Sequence, residues 1–175
     1  MEFTELKPGD RYDVNLMEAE RQRLAARLRN NGYYFFQPGH VEFLMDTLAG
    51  RKVADVRIAL KQGTPENALR PYRLKSVEVN LERNDGTAER DTLVEDGVKI
   101  VYDPPVTLKP NVLMRAVKVR PGDTYSAVRQ NSTQANFVQL GVFKFANMTI
   151  SASDTAAVPG LDMRINGEFA LPIET

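Results

Sequence analysis

Pro8-Gly9-Asp10-Arg11-Tyr12 recurs as Pro121-Gly122-Asp123-Thr124-Tyr125, and this pair of stretches decides the architecture. Each copy follows a basic residue, Lys7 or Arg120, and an apolar one, Leu6 or Val119. Pro followed by Gly supplies the fixed and the free backbone positions of a tight turn, so each copy turns the chain. Downstream, Leu28-Arg29-Asn30-Asn31-Gly32-Tyr33-Tyr34-Phe35-Phe36 has a shorter echo in Leu140-Gly141-Val142-Phe143-Lys144-Phe145. Pro8 to Gly32 is 24 positions and Pro121 to Gly141 is 20. The difference of four is close to one helical turn of ~3.6 residues, which a helix absorbs while keeping its buried face. The chain therefore reads as two copies of one unit.

In the first copy the turn closes a short apolar segment at 3–6 and a helix follows. Asn15 and Glu18 have the spacing of a capping box. Met17, Leu24 and Leu28 share one helical face, while Glu18 with Arg21 and Glu20 with Arg23 are spaced for pairs on the others. Gly32 can take the left-handed position that ends a helix. Val41, Phe43 and Met45 alternate with polar residues, as do Val56, Ile58 and Leu60, so a hairpin is predicted. The run 63–67, Gly-Thr-Pro-Glu-Asn, is the best linker. A new strand then opens at Tyr72 and Leu74, slips phase, and continues through Val77, Val79 and Leu81. The polar stretch 82–96 reads as an exposed loop and 98–102 as a short strand. Residues 115–120 lead into the second turn. Helices over 126–140 are expected, with Ser132 or Thr133 as an interior cap, then a second hairpin over 143–151 and 161–171.

Composition bounds the function. Of 175 residues, 42% are hydrophobic and 26% charged, which suits a folded chain with cores. Lys plus Arg and Asp plus Glu are 23 each. That balance lacks the basic surplus of a nucleic-acid binder. There is no Cys, hence no disulfide framework and no thiolate metal site. No apolar run approaches the ~18 residues of a membrane-spanning helix. The single His, His40, lies beside Pro38-Gly39 and reads as a solvated turn residue. No HExxH, P-loop or dinucleotide fingerprint is present. Asp10 and Asp123 read as turn or helix caps, because an acceptor there satisfies orphan N–H groups. Alternate members of Tyr33-Tyr34-Phe35-Phe36 are expected to enter a sheet core. No catalytic residue, metal site or cofactor is expected.

The order strand–helix–helix–strand–strand, with an apolar–Gly–aromatic run after the second helix, resembles the POTRA domain. The nearest likeness is to POTRA domains of Bacteroidetes-like outer-membrane β-barrel assembly factors, the BamA and TamA superfamily. Pro8 to Tyr12, Glu20-Arg21, the run 28–36, the block from Pro121 through Lys144, and Leu161-Asp162-Met163-Arg164-Ile165 carry it. The resemblance implies an α+β fold of two small domains, each a three-stranded mixed sheet packed by two helices. Domain one is expected at 1–66, with a shortened first strand, and domain two at 67–175, with an insertion at about 82–111. It implies a non-catalytic, periplasmic segment of an outer-membrane protein whose barrel lies elsewhere in a longer parent. The implied partners are unfolded outer-membrane proteins and accessory assembly proteins or lipoproteins, with no nucleic acid. In the family the second strand in chain order is the sheet edge. Here that points to Phe143, Phe145, Asn147, Met148 and Thr149, and to Val41, Phe43 and Met45, as a polypeptide-binding edge. The rival readings are a POTRA arm of a secretion pore or division protein, and a small α+β enzyme. The enzyme would need convergent titratable groups in a concavity near His40 or the Asp10 turn.

Overall fold

The computed structural model describes residues 4–47, 53–83, 90–104, 109–153 and 160–170. The chain divides into two compact units, Met1–Pro71 and Tyr72–Thr175.

Unit 1 contains helix α1 (Val14–Asn30) and an antiparallel hairpin of β1 (Val41–Thr47) and β2 (Ala54–Leu60). The hairpin register runs from Val41 opposite Leu60 to Thr47 opposite Ala54. Ala25, Phe36 and Val41 form the buried cluster, with Leu24, Leu28, Tyr33 and Phe43 packed on it. The helical face read from sequence is thus the one that faces the core, where Met17 is also buried. The cap is Asp13 and not Asn15. The Asp13 carboxylate accepts from the Asn15 N–H at 2.8 Å. The aromatic run 33–36 forms turns, not a strand. Only Phe36 of the four is fully buried, and Tyr34 and Phe35 meet edge to face.

Unit 2 is a five-stranded sheet in the order β4-β5-β3-β7-β6, with two helices. Its elements are β3 (Arg73–Glu82), β4 (Asp91–Glu95), β5 (Val98–Tyr102), α2 (Pro110–Ala116), α3 (Ala127–Gln139), β6 (Phe143–Ser153) and β7 (Gly160–Phe169). β3 is parallel to β5 and to β7, while β4–β5 and β6–β7 are antiparallel. The phase slip read in β3 is a bulge between Leu74 and Ser76. It lets Tyr72, Leu74, Val77, Val79 and Leu81 all be buried. Leu161, Met163 and Ile165 of β7 and Leu113 and Met114 of α2 join that core, with Phe137 of α3.

Three expectations are corrected. Among the described residues the sheets have two and five strands, not three each. The stretch 82–96 is not all loop, because β4 lies inside it; residues 84–89 fall outside the described residues. The missed signal is Asp96-Gly97, whose φ of 49° and 77° make the two-residue hairpin turn favoured by right-twisted strands. Finally, 126–140 holds one helix. Thr133 lies within it, its hydroxyl donating to the Arg129 carbonyl at 2.8 Å. The other helix, α2, precedes the turn. In unit 2 the Pro-Gly-Asp therefore lies between the two helices and leads into the second. The described part of unit 1 matches the last three elements of unit 2: α1 corresponds to α3, and β1–β2 to β6–β7.

The repeat holds at the level of single hydrogen bonds. Gly9 and Gly122 have φ of 92° and 90°. In each turn the Asp N–H donates to the carbonyl of Lys7 or Arg120 at 3.1 Å. Each Asp carboxylate accepts from the N–H of that same basic residue at 2.9 Å. The helix cap then falls three residues on, at Asp13 and Ser126, and Gly32 and Gly141 each follow the helix end by two with positive φ. The helices have 17 and 13 residues, so the four-residue difference lies in helix length.

Seven positions after the cap, each helix buries a polar side chain completely, Glu20 and Thr133. Each accepts the backbone N–H of the residue three before its Pro: Glu5 to Glu20 Oε2 at 3.3 Å, Lys118 to Thr133 Oγ1 at 3.0 Å. Glu20 needs more support, being charged. Arg23 donates to both its oxygens at 2.7 Å. Those bonds, above all, hold the Glu20 carboxyl below its usual range; burial pushes the other way, and Thr4 and the Glu5 N–H assist Arg23.

Glu20→Ala orphans the Glu5 N–H and removes the two-oxygen acceptor of Arg23, and should destabilise unit 1 by about 2 kcal/mol in denaturant unfolding. The sign of the pH effect follows from the lowered folded value. The charged carboxyl contributes fully above the ordinary Glu value of 4.5, and the contribution is lost as pH falls through the lowered one. The stability gap between the parent chain and Glu20→Gln should therefore shrink on acidification. A gap independent of pH would contradict the assignment.

Candidate polypeptide-binding edge

β6 is the last strand of its sheet, and among the described residues its only strand partner is β7. β4 and β5, which lie within the 82–111 stretch, are at the opposite end of that sheet. The sheet has two unlike faces. On one, Met148 and Ile150 lie opposite Ile165 and Met163, on the side of the β3 and β7 core residues. On the other, polar rows cross the strands. Ser76 donates to Asp162, which lies opposite Ser151. Glu78 pairs with Lys99 and Arg164, each at 3.2 Å, and Arg164 lies opposite Thr149. Asn80, Asn166 and Asn147 form a third row. Phe145 is 57% exposed on the edge strand.

The start of β6 is fixed by aromatic packing. Phe143 stacks on Phe137 of α3 at 5.8 Å between centroids and meets the Phe169 ring at a tilt, at 5.1 Å. Gly167 makes this possible, since a Cβ there would meet Phe143 ring atoms at 2.9 and 3.0 Å. Gln134 of α3 also donates to the Ala146 carbonyl at 3.2 Å. The edge strand is thus anchored from below.

The second predicted edge differs. Val41 is buried and Phe43 half-buried in the α1 cluster, while Met45 is exposed. Arg21 lies over the Phe43 ring at 5.2 Å. The structure thus places Val41 and Phe43 with the core and Met45 with a groove of about 870 Å³. That groove is also lined by Leu6, Tyr12, Met17, Val56 and Ile58. Tyr12 is 66% exposed, whereas its counterpart Tyr125 is 1% exposed. The difference has a cause: the Tyr125 N–H donates to the Tyr72 carbonyl beside β3, at 3.0 Å, and unit 1 has no counterpart of β3 among its described residues.

The groove includes the Asp10 turn, where the Asp10 carboxylate accepts from the Lys7 N–H and the Asp13 carboxylate from the Asn15 N–H. His40 ends a short 3-10 turn, where its Nδ1 accepts from the Gln37 N–H at 3.2 Å and its ring meets Phe36 edge-on. It is a half-buried turn former, less solvated than its sequence context suggested. Among the described residues no group of three or more His, Asp or Glu could hold a metal ion, and no helix is long and apolar enough to cross a membrane.

Residues 1–63 match the family model of POTRA, the surface antigen variable number repeat. The fold of the whole chain is similar to part of BamA from Haemophilus ducreyi lacking POTRA domains 1–3, with a TM-score of 0.57, 12% identity and 95% of this chain covered. The chain spans 25% of that structure's length. Further matches are the N-terminal domain of Omp85 from Thermosynechococcus elongatus (TM-score 0.44, 11% identity, 91% of this chain and 55% of that one) and Omp85 POTRA1–3 from Anabaena (0.42, 11%, 94% and 54%). No curated protein matches the chain in sequence. The likeness to POTRA in sequence thus covers the first 63 residues of the chain.

Gly167→Ala should force Phe143 off its seat and destabilise unit 2 by about 2 kcal/mol, as overpacking does. The change is readable as a loss of ring-current-shifted resonances around Phe137 and Phe169. Unchanged stability and shifts would contradict the packing account.

Proposed function

We propose that the chain is a non-catalytic, periplasmic polypeptide-handling segment of an outer-membrane assembly factor. On this reading β6 receives extended segments of unfolded barrel proteins by strand addition. The POTRA match over 1–63 supports the family, and the end position of β6 is the single observation that carries the site. An edge strand presents unpaired N–H and C=O groups, and natural proteins ordinarily guard such edges with charge, Pro or a covering element. Residues 143–151 hold one charge, Lys144, and no Pro. Backbone pairing then supplies affinity with little demand on client sequence, which suits a factor that handles many clients. We read the chain as two POTRA-type domains, 1–66 and 67–175, with accessory assembly proteins or lipoproteins docking on the arm. Met45 and the unit 1 groove belong to this reading as a secondary apolar surface.

Photo-reactive residues at Phe145 and Thr149 should cross-link an unfolded outer-membrane barrel peptide in preference to the same probes at Glu18 and Arg21 on α1. Equal labelling of strand and helix would contradict strand addition at β6.

A further inference from the structure

The asparagine row across the sheet has a direction. Asn80 Nδ2 donates to Asn166 Oδ1 at 3.0 Å, and Asn166 Nδ2 donates to Asn147 Oδ1 at 3.1 Å. The three residues are in register, Asn80 opposite Asn166 and Asn166 opposite Asn147, on neighbouring strands β3, β7 and β6. Both bonds run the same way, from Nδ2 of the inner residue to Oδ1 of the next one out, so the row points toward the sheet edge.

The row ends at the sheet edge. Asn147 uses Oδ1 to accept from Asn166, and its Nδ2 donates to no group among the described residues. Asn147 is half-buried on this edge strand. A residue directly opposite on an added strand would bring its Cβ to ~5 Å from that of Asn147, within reach of a side-chain hydrogen bond. Stacked amide rows of this kind stabilise sheets wherever strands add in register. Two residues along the same strand, exposed Phe145 offers an apolar surface beside that donor.

We propose that the β6 edge prefers extended segments that place a side-chain oxygen acceptor, Asn or Asp, opposite Asn147. This rests on strand addition at β6, and it adds a register and a side-chain chemistry to what backbone pairing leaves unspecified. An apolar residue two positions from the acceptor would lie against Phe145.

The test uses the full chain and three alternating strand peptides that differ only at one central position, Asn, Asp or Leu. Each carries a photo-reactive group to report labelling of β6. Binding to the parent protein and to Asn147→Asp forms a double-mutant cycle, which cancels the peptides' own strand propensities. Asn147→Asp keeps the acceptor for Asn166 and replaces the outward donor by a negative acceptor. With the parent chain, the Asn and Asp peptides should bind roughly fivefold tighter than the Leu peptide. With Asn147→Asp, the Asp peptide should fall below the Leu peptide while the Asn peptide, which can also donate, keeps its advantage. Equal affinity of all three peptides at a labelled β6 overturns the acceptor preference alone. Absence of β6 labelling by every peptide overturns strand addition, and this inference with it.

Discussion

The two units depend on one arrangement: a side-chain acceptor buried in the second turn of a helix, bonded to the backbone of the segment that precedes that helix. Glu20 and Thr133 occupy the same position after their caps and bind the N–H of Glu5 and Lys118. A buried N–H without a partner is costly, so the segment before the turn is held on the helix flank and the Pro-Gly-Asp turn is closed between two fixed points. In unit 2 the anchor is extended. The Leu74 N–H donates to the Asp123 carbonyl at 2.9 Å and the Gly122 N–H to the Leu74 carbonyl at 2.7 Å, so the turn is seated on the start of β3. Arg120 ties the same segment down through the Val117 and Val119 carbonyls at 2.8 and 2.9 Å. The added hairpin joins in: a Cβ on Gly97 would meet the Pro121 ring at 3.4 Å, and Asp96 pairs with Arg120 at 3.7 Å.

The repeat itself was legible because it is made of special-backbone residues. Pro and Gly report φ directly, so two Pro-Gly-Asp copies and the later glycines carried the turn, the helix start and the helix end. The bulge in β3 was legible for a related reason. Side chains alternate strictly along a regular strand, so apolar residues at Leu74 and then at Val77 share a face only if one extra residue is inserted between them. What was not legible was the place of the turn in the unit. A Pro-Gly-Asp turn leads into a helix equally well from a strand or from another helix, and α2 is only seven residues long. The family order then filled the gap with two helices after the turn, where there is one. The β4–β5 hairpin was obscured by its composition. β5 was read as a strand at 98–102, but β4, mostly exposed, was hidden in the polar stretch before it, and the Asp-Gly pair that joins them was the signal missed.

The candidate site divides along the same line. That β6 ends its sheet agrees with the strand order expected of the fold, and Phe143 to Thr149 share that strand. Val41 and Phe43 turn their side chains into the core under α1, while β1, like β6, has a single strand partner among the described residues. The asparagine row could not be read from sequence. Asn80, Asn147 and Asn166 are far apart in the chain, and only the register of three strands brings their amides together. The same register places a chain of polar rows on one face of the sheet and the core on the other, so an added strand would meet two unlike surfaces.

Residue-resolved hydrogen exchange with and without an unfolded barrel peptide tests the central claim most directly. Strand addition at β6 predicts that alternate amides along 143–153, those whose N–H groups face away from β7, gain protection on peptide binding, while α1 and the β3–β7 ladder do not change. Protection gained on the helices or in the unit 1 groove, with β6 amides unaffected, would contradict it.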